Sequence, residues 1–397
     1  MEEVASTCLS RTALSAYSEG MIKQNEHWEV VRCRFSRCFR SSDYCDVRAL
    51  AAAASLLLAG QLRAQERPRR LDSFLTRAIA LDAGQTAALS RGEVVAKVLP
   101  TADDRDVSVF GAVHVAVPRA FFVKRQRDFP GALRTPTRSV ARLFTSPATG
   151  ADVQEIALTS KDLDELRSCK PNDCNFKLPA TDMDKLRTTI DWSSRDAATQ
   201  VAAYVRERMV EYVTDYRGRG NAAMVVYDDL GSVHASDALD AMLRDSSLVF
   251  SVVPSLGRHI ASYPRDTLAG AEEVLFWSLD DLPHVRRVLR ITHETVYEAP
   301  ELPGTTVFAA KQIYADHYFE AGLEVLTAVD DTTSAGGATP PGITLVAVRR
   351  YRFDHLPSGG LLNLRGRVIG GLRDNVRSDL ARLKRESELA LRAAGTQ

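Results

Sequence analysis

The chain has 397 residues, 45% hydrophobic and 26% charged, with 51 basic and 51 acidic side chains. That is the composition of an ordinary globular protein, long enough for one large domain or two small ones. A formal charge of zero removes the basic excess on which a nucleic-acid binder relies, so no nucleic-acid partner is expected.

The first distinctive stretch is VRALAAAASLLLAGQLRAQ at 47–65. Arg48 precedes an apolar run of about 12 residues, from Ala49 to Gly60, too short for the roughly 20 that cross a bilayer but suited to a signal peptide. Residues 47–64 are therefore expected to be removed before Gln65, leaving no membrane span. Gln61 stands where a lipid-bearing cysteine would be needed. Residues 1–46 show no sustained periodicity and would be an extension outside the fold, with Val47 a candidate initiator. The alternative is a buried Ala/Leu helix in a cytoplasmic protein. Cleavage after Ala64 would leave only Cys169 and Cys174 of the six cysteines. Separated by a Pro-Asn-Asp turn, they are expected to form a local disulfide in an oxidising compartment, periplasmic or extracellular. Their spacing is not that of a redox pair, and no histidine lies nearby in sequence to complete a zinc site.

Residues 71–91 read as short and helical, ending at Gly92, and 93–99 as a strand closed by Pro100. In DVSVFGAVHVAVPRAFF, Val107, Val109, Gly111, Val113, Val115 and Val117 share one face of a strand, and Pro118 ends it and opens a helix reaching about Arg127. A strand follows at SVARLFTS, then a helix from Thr159 or Ser160 to Cys169. A longer helix carries Ala197, Val201, Val205, Met209 and Val213 at helical intervals, and shorter helices fill 233–262. With no repeat, low-complexity tract or linker, 65–397 reads as a single α+β domain with a helical insertion at about 159–262.

The last third alternates. RVLRITHETVYE places Leu289, Ile291, His293, Thr295 and Tyr297 on one face. The stretch 309–326, read as one long strand, places Ala309, Lys311, Ile313, Ala315, His317, Phe319, Ala321, Leu323 and Val325 together, an apolar face carrying a lysine and a histidine. A bulge near Asp316 or Gly322 would reverse that facing. A third strand, ITLVAVRRYRF, follows the Gly/Pro-rich loop SAGGATPPG. One helix from about Gly360 to Ala393 closes the chain, with Leu361, Leu364, Val368, Leu372, Val376, Leu380 and Leu383 as its apolar stripe. Glycines 366, 370 and 371 are expected to let it lie close to a sheet, at up to about 1 kcal/mol each.

Strand, helix, several antiparallel strands and a long amphipathic final helix are the order of the helix-grip fold. On VSVFGAVHVAVPRAFF and on the strand-strand-strand-helix ending at 286–393, the chain resembles the START-like (SRPBCC) superfamily of lipid-transfer proteins and polyketide cyclases. It also resembles uncharacterised exported bacterial proteins with the same ending. About half of the mature chain is covered, and the helical block at 159–262 is larger than the family usually carries. The resemblance implies a curved antiparallel sheet gripping the final helix around an apolar ligand, a hydrophobic small molecule or lipid. His293, Lys311 and His317, with Tyr297 and Phe319, are then pocket candidates. Each is also open to a structural role, the histidines hydrogen-bonded and Lys311 reaching the rim.

No catalytic residue is marked. HETVY at 293–297 lacks the second histidine of a zinc-protease helix, there is no Gly-x-Ser-x-Gly elbow, and YRGRGNAA lacks the frame of a phosphate loop. No metal or cofactor is implied. Three functions remain: an exported binding protein, favoured here; a cyclase- or hydrolase-type enzyme with His293 or His317 as general base and Lys311 at an oxyanion; and a structural envelope protein without ligand.

Overall fold

Caps and alternation account for most elements of the protein's computed structural model, which describes residues 74–245, 252–281, 286–331, 342–354 and 364–395. The expected extension, the signal segment, most of the Gly/Pro-rich loop and the start predicted for the last helix lie outside the described residues.

Asp82 caps α1 (Ala83–Ser90), accepting from the Gln85 amide while the Gln85 side chain reaches back. Strands β1 (Val95–Leu99) and β2 (Asp106–Val115) follow. Pro118 caps α2 (Arg119–Gln126), and α3 (Phe129–Ala132) leads into β3 (Arg138–Leu143). Thr159 and Asp162 form a capping box on α4 (Ser160–Ser168). Cys169 ends that helix and is bonded to Cys174. Next come α5 (Ala180–Thr189), α6 (Ala197–Arg219), the short pair β4 (Val226–Tyr227) and β5 (Val233–His234), α7 (Ala235–Asp245) and α8 (Pro254–Ser262). Five long strands, β6 (Glu272–Asp280), β7 (Val288–Glu298), β8 (Thr305–Ala315), β9 (Phe319–Asp330) and β10 (Ile343–Phe353), precede α9 (Leu364–Ala394).

The protein is α+β, with one large antiparallel sheet in the order β1-β2-β10-β9-β8-β7-β6-β3 and a long C-terminal helix. The helices at 160–262 are inserted between β3 and β6, which are neighbours in the sheet. Both faces of the sheet are covered. Against one lies α9, whose Val368, Leu372, Val376 and Leu380 pack on Val107, Val109, Val113, Phe308 and Tyr351. Each such aliphatic side chain contributes roughly 1.5–3 kcal/mol by burial. Against the other face lies the insertion, with Met209, Tyr216, Leu239 and Leu256 meeting Trp277, Ile291, Ala309 and Leu323. Towards β1, the segment 74–89 covers that second face.

Three features differ from the sequence reading. Strand β6 was not foreseen. The stretch 309–326 is a hairpin rather than one strand: it turns at Asp316 to Tyr318, where Tyr318 adopts a left-handed φ of 62°. Asp316 supports the turn by accepting the Leu289 amide at 3.0 Å, and neither glycine nor proline marks it. The register against β7 also slips at Ile313, since Tyr314 faces Ile291 while Gln312 faces Thr292. That bulge sends Ala315 to the α9 face, and a second one at Glu320, where Ala321 faces Arg352 and Phe319 faces Phe353, does the same for Phe319, whereas Ala309, Ile313, Leu323 and Val325 pack on the insertion. Finally, the close approach of α9 is made possible by the strand. A Cβ on Gly111 would stand 2.5 Å from Val376 Cγ1, whereas one on Gly370 meets nothing within 4 Å.

Gly111→Val is therefore expected to destabilise by about 1–3 kcal/mol through overpacking, and Gly370→Ala to stabilise by up to about 1 kcal/mol through helix propensity. Urea unfolding of both variants checks this, and the opposite ranking would overturn the packing assignment. Non-reducing peptide mapping of air-oxidised protein should recover Cys169 and Cys174 as one linked fragment.

Candidate functional site

The α9 face is not apolar throughout. Across the sheet, register lines up Glu294 of β7, Ala310 of β8, Glu324 of β9 and Arg349 of β10 in one row. Neighbouring strands are about 4.8 Å apart, so the methyl of Ala310 leaves a gap between two carboxylates. Under α9 that gap opens into a cleft with about 150 Å³ of free space, walled by Arg138, Asp280, Arg290, Phe308, Tyr351 and Asp379 among others.

Almost every charge in this cleft is matched. Glu324 accepts from Tyr351 Oη at 2.7 Å and from Arg290 at 3.2 Å, and lies 3.4 Å from Arg349 Nε. Asp280 pairs with Arg290 and with Arg138, the latter at 3.3 Å. From the helix, Asp379 and Asn375 take the Arg349 guanidinium at 2.6 and 2.7 Å. Burial works against the ionised form of Glu324, but Arg349 and Arg290 hold its carboxyl well below the usual range.

Glu294 is the exception. It lines the cleft half-buried, and no residue among those described gives its carboxyl a hydrogen bond or an ion pair. Burial pushes it up to about 7, against the opposing field of Arg138. Two carboxyls on one floor are thus driven apart, one held ionised and bonded, the other raised to about 7 and open. That is the arrangement by which a site holds an acid and a base at the same pH.

The residues singled out from the sequence lie elsewhere. His293 and Lys311 are cross-strand partners, and both face the insertion, not α9. Lys311 is 2% exposed; its Nζ donates to Asn221 Oδ1 at 2.7 Å and lies over the rings of Tyr216 and Tyr263. Among the described residues no carboxylate stands within ion-pair distance, and burial lowers the ammonium to about 7. His293 Nδ1 shares a hydrogen bond with Tyr216 Oη at 2.9 Å, and burial brings the imidazole down to about 4. The two tyrosines come from the ends of α6 and α8, which meet at Gly220. Its φ is 59°, and a Cβ there would strike the Tyr263 carbonyl. His317 sits in the β8–β9 turn, packed at a tilt against Phe176 with ring centroids 4.5 Å apart and its Nδ1 2.8 Å from Asp316. Tyr297 is buried on the insertion side with its hydroxyl 3.3 Å from Glu301. Phe319 packs on Phe353 and Tyr351 on the α9 side. None of the five lines the cleft.

Reading one face of 309–325 as the gripped face missed Glu294, Arg290, Glu324 and Arg349. Their signal was available as charges at period two inside otherwise apolar strands. Among the described residues no three histidine, cysteine or acidic side chains are grouped to hold a metal, and no helix is long and apolar enough to cross a membrane. No family model matches the chain, and neither does any curated protein or solved structure.

Lys311 carries a prediction with a definite sign. Its folded-state value lies below the ordinary 10.5, so the unfolded chain binds more protons between pH 7 and 10.5 and stability rises with pH across that window. Lys311→Met removes this slope and strands the Asn221 and Ile260 acceptors. The variant should be less stable by about 1–2 kcal/mol at pH 9, with the deficit narrowing towards pH 6. Urea midpoints at both pH values would refute this if the deficit widened instead.

Proposed function

We propose that the protein is a START-like, helix-grip binding protein that takes a small polar molecule in the cleft between the sheet and its C-terminal helix. The observation that carries this reading is the unpartnered carboxyl of Glu294 in a cleft whose other charges are matched. A ligand offering a cation or a hydrogen-bond donor supplies what Glu294 lacks, and Arg138 and Tyr351 give polar surface for the rest of it. The lipid implied by the family resemblance fits this cleft less well. Ligand pockets are mostly apolar and run to about 300–1,000 Å³, and an alkyl chain laid along Arg290, Glu324 and Arg349 would leave polar groups without water. The Cys169 to Cys174 bond supports an exported protein, in keeping with the apolar run at 49–60.

A second reading follows from the same floor. Glu294, open and raised to about 7, beside ionised Glu324, is equipped for general acid or base catalysis on the bound molecule.

The test is Glu294→Gln. Native mass spectrometry of protein purified from its own host should find a small adduct on the wild type and none on the variant. An adduct of lipid mass, or equal retention by both proteins, would overturn the reading. Stability offers an independent check. The folded-state value of Glu294 is raised to about 7 from 4.5, so the native state binds more protons in that interval and wild-type stability falls as pH rises from 4.5 through 7. In Glu294→Gln this component should vanish, leaving the variant on the order of 1–2 kcal/mol better off relative to wild type at pH 8 than at pH 4.5. Parallel thermal-melt profiles for the two proteins would contradict it.

A further inference from the structure

A second cavity, with about 220 Å³ of free space, lies on the opposite side of the sheet, between α5, α6 and strands β7 and β8. Its wall is largely apolar, including Leu166, Phe176, Met209, Val225 and Ile291. It lies at the junction of two hydrophobic clusters, and Val205 of α6 packs against both. Asp215 and Arg219 of α6 are exposed and form a charged rim.

The polar side chains of this wall are matched, with one exception. Asp182 accepts from the Tyr204 hydroxyl at 2.8 Å and forms an ion pair with Arg208, whose Nε lies 3.0 Å away. Tyr212 donates to the Ile313 carbonyl at 2.5 Å, and Asp215 pairs with Arg219 at 3.0 Å. Half-buried Tyr314 is held by ring contacts with Tyr212 and Tyr227, and its hydroxyl has no hydrogen-bond partner among the described residues. We propose that this cavity binds a small, mostly apolar molecule bearing one hydrogen-bond acceptor, such as a ketone or ester oxygen, which takes the Tyr314 hydroxyl. An apolar cavity of about 150 Å³ accommodates benzene, so this one admits a single ring with a short substituent. Burial holds the Tyr314 phenol well above its ordinary value, so the group stays a donor and selects an acceptor. This site is independent of the cleft under α9.

Acetophenone and ethylbenzene, alike in shape and differing in the acceptor, test it by saturation-transfer NMR and by competition titration. Wild type should bind both, with acetophenone favoured by about fivefold, the worth of one net hydrogen bond. Tyr314→Phe should abolish that preference while leaving ethylbenzene binding intact, and Val205→Trp, which fills the cavity, should abolish binding of both. Glu294→Gln should change neither affinity, which separates this site from the cleft. Failure of wild type to bind either probe, persistence of the preference in Tyr314→Phe, or undiminished binding in folded Val205→Trp would each overturn the proposal. Should Val205→Trp not fold, the Tyr314→Phe comparison decides alone.

Discussion

The structure depends on a sheet covered on both faces. In a sheet with one wet face, alternate residues of every strand meet water, and charges there need no partner. Here α9 takes one face and the helices inserted between β3 and β6 take most of the other. All ten residues of β2 are consequently buried. A charged side chain in β7 to β10 has to find a partner inside, since an isolated buried charge costs several kcal/mol. The interior ion pairs, the two cavities and the docking of the insertion all follow from that requirement.

On the α9 face the requirement is met by interdigitated arginines and carboxylates drawn from four strands and the helix. Such networks contribute little net stability, because desolvation offsets attraction. What they supply is geometry: Arg349 is held by Glu324 on one side and by Asp379 and Asn375 of α9 on the other, which ties the helix to the sheet at a fixed position. Ala310 then leaves a void within that rigid frame, and Glu294 is the charged member of the row that no described residue bonds. A cleft of this kind is preorganised, so a ligand need not pay for ordering it.

On the opposite face, buried lysines tie loops to strands. Lys311 donates to Asn221 and to the Ile260 carbonyl, joining β8 to the end of α6 and to α8. Lys177 bridges Asp229 and Asp354 at 3.2 and 3.3 Å and lies over the Tyr227 ring. Its backbone amide donates to Asp316 in the β8–β9 turn. The insertion is thus pinned at two separate points of the sheet, and the apolar cavity lined by Tyr314 lies between its helices and the strands beneath.

The sequence by itself determined most of the elements. Alternation in 106–117, the Thr159 cap and the stripe of Val368, Leu372, Val376 and Leu380 are local patterns, set by side-chain periodicity and backbone hydrogen-bonding groups. They placed β2, α4 and α9 and gave a sound outline of an α+β chain. The tertiary structure alone decided which face of each strand meets which helix. Face assignment over 309–326 hinged on a turn at Asp316 to Tyr318 without glycine or proline, and on a one-residue slip at Ile313. The slip moves Ala315 to the α9 face. His293 and Lys311 keep the alternation of their strands, but alternation says which residues share a face and not what covers it; that face lies under the insertion, and Glu294, one residue from His293, points into the cleft. The vacancy beside Glu294 was equally illegible in the sequence, because it is made by residues of β3, β8, β9, β10 and α9 that meet only through the register of the sheet.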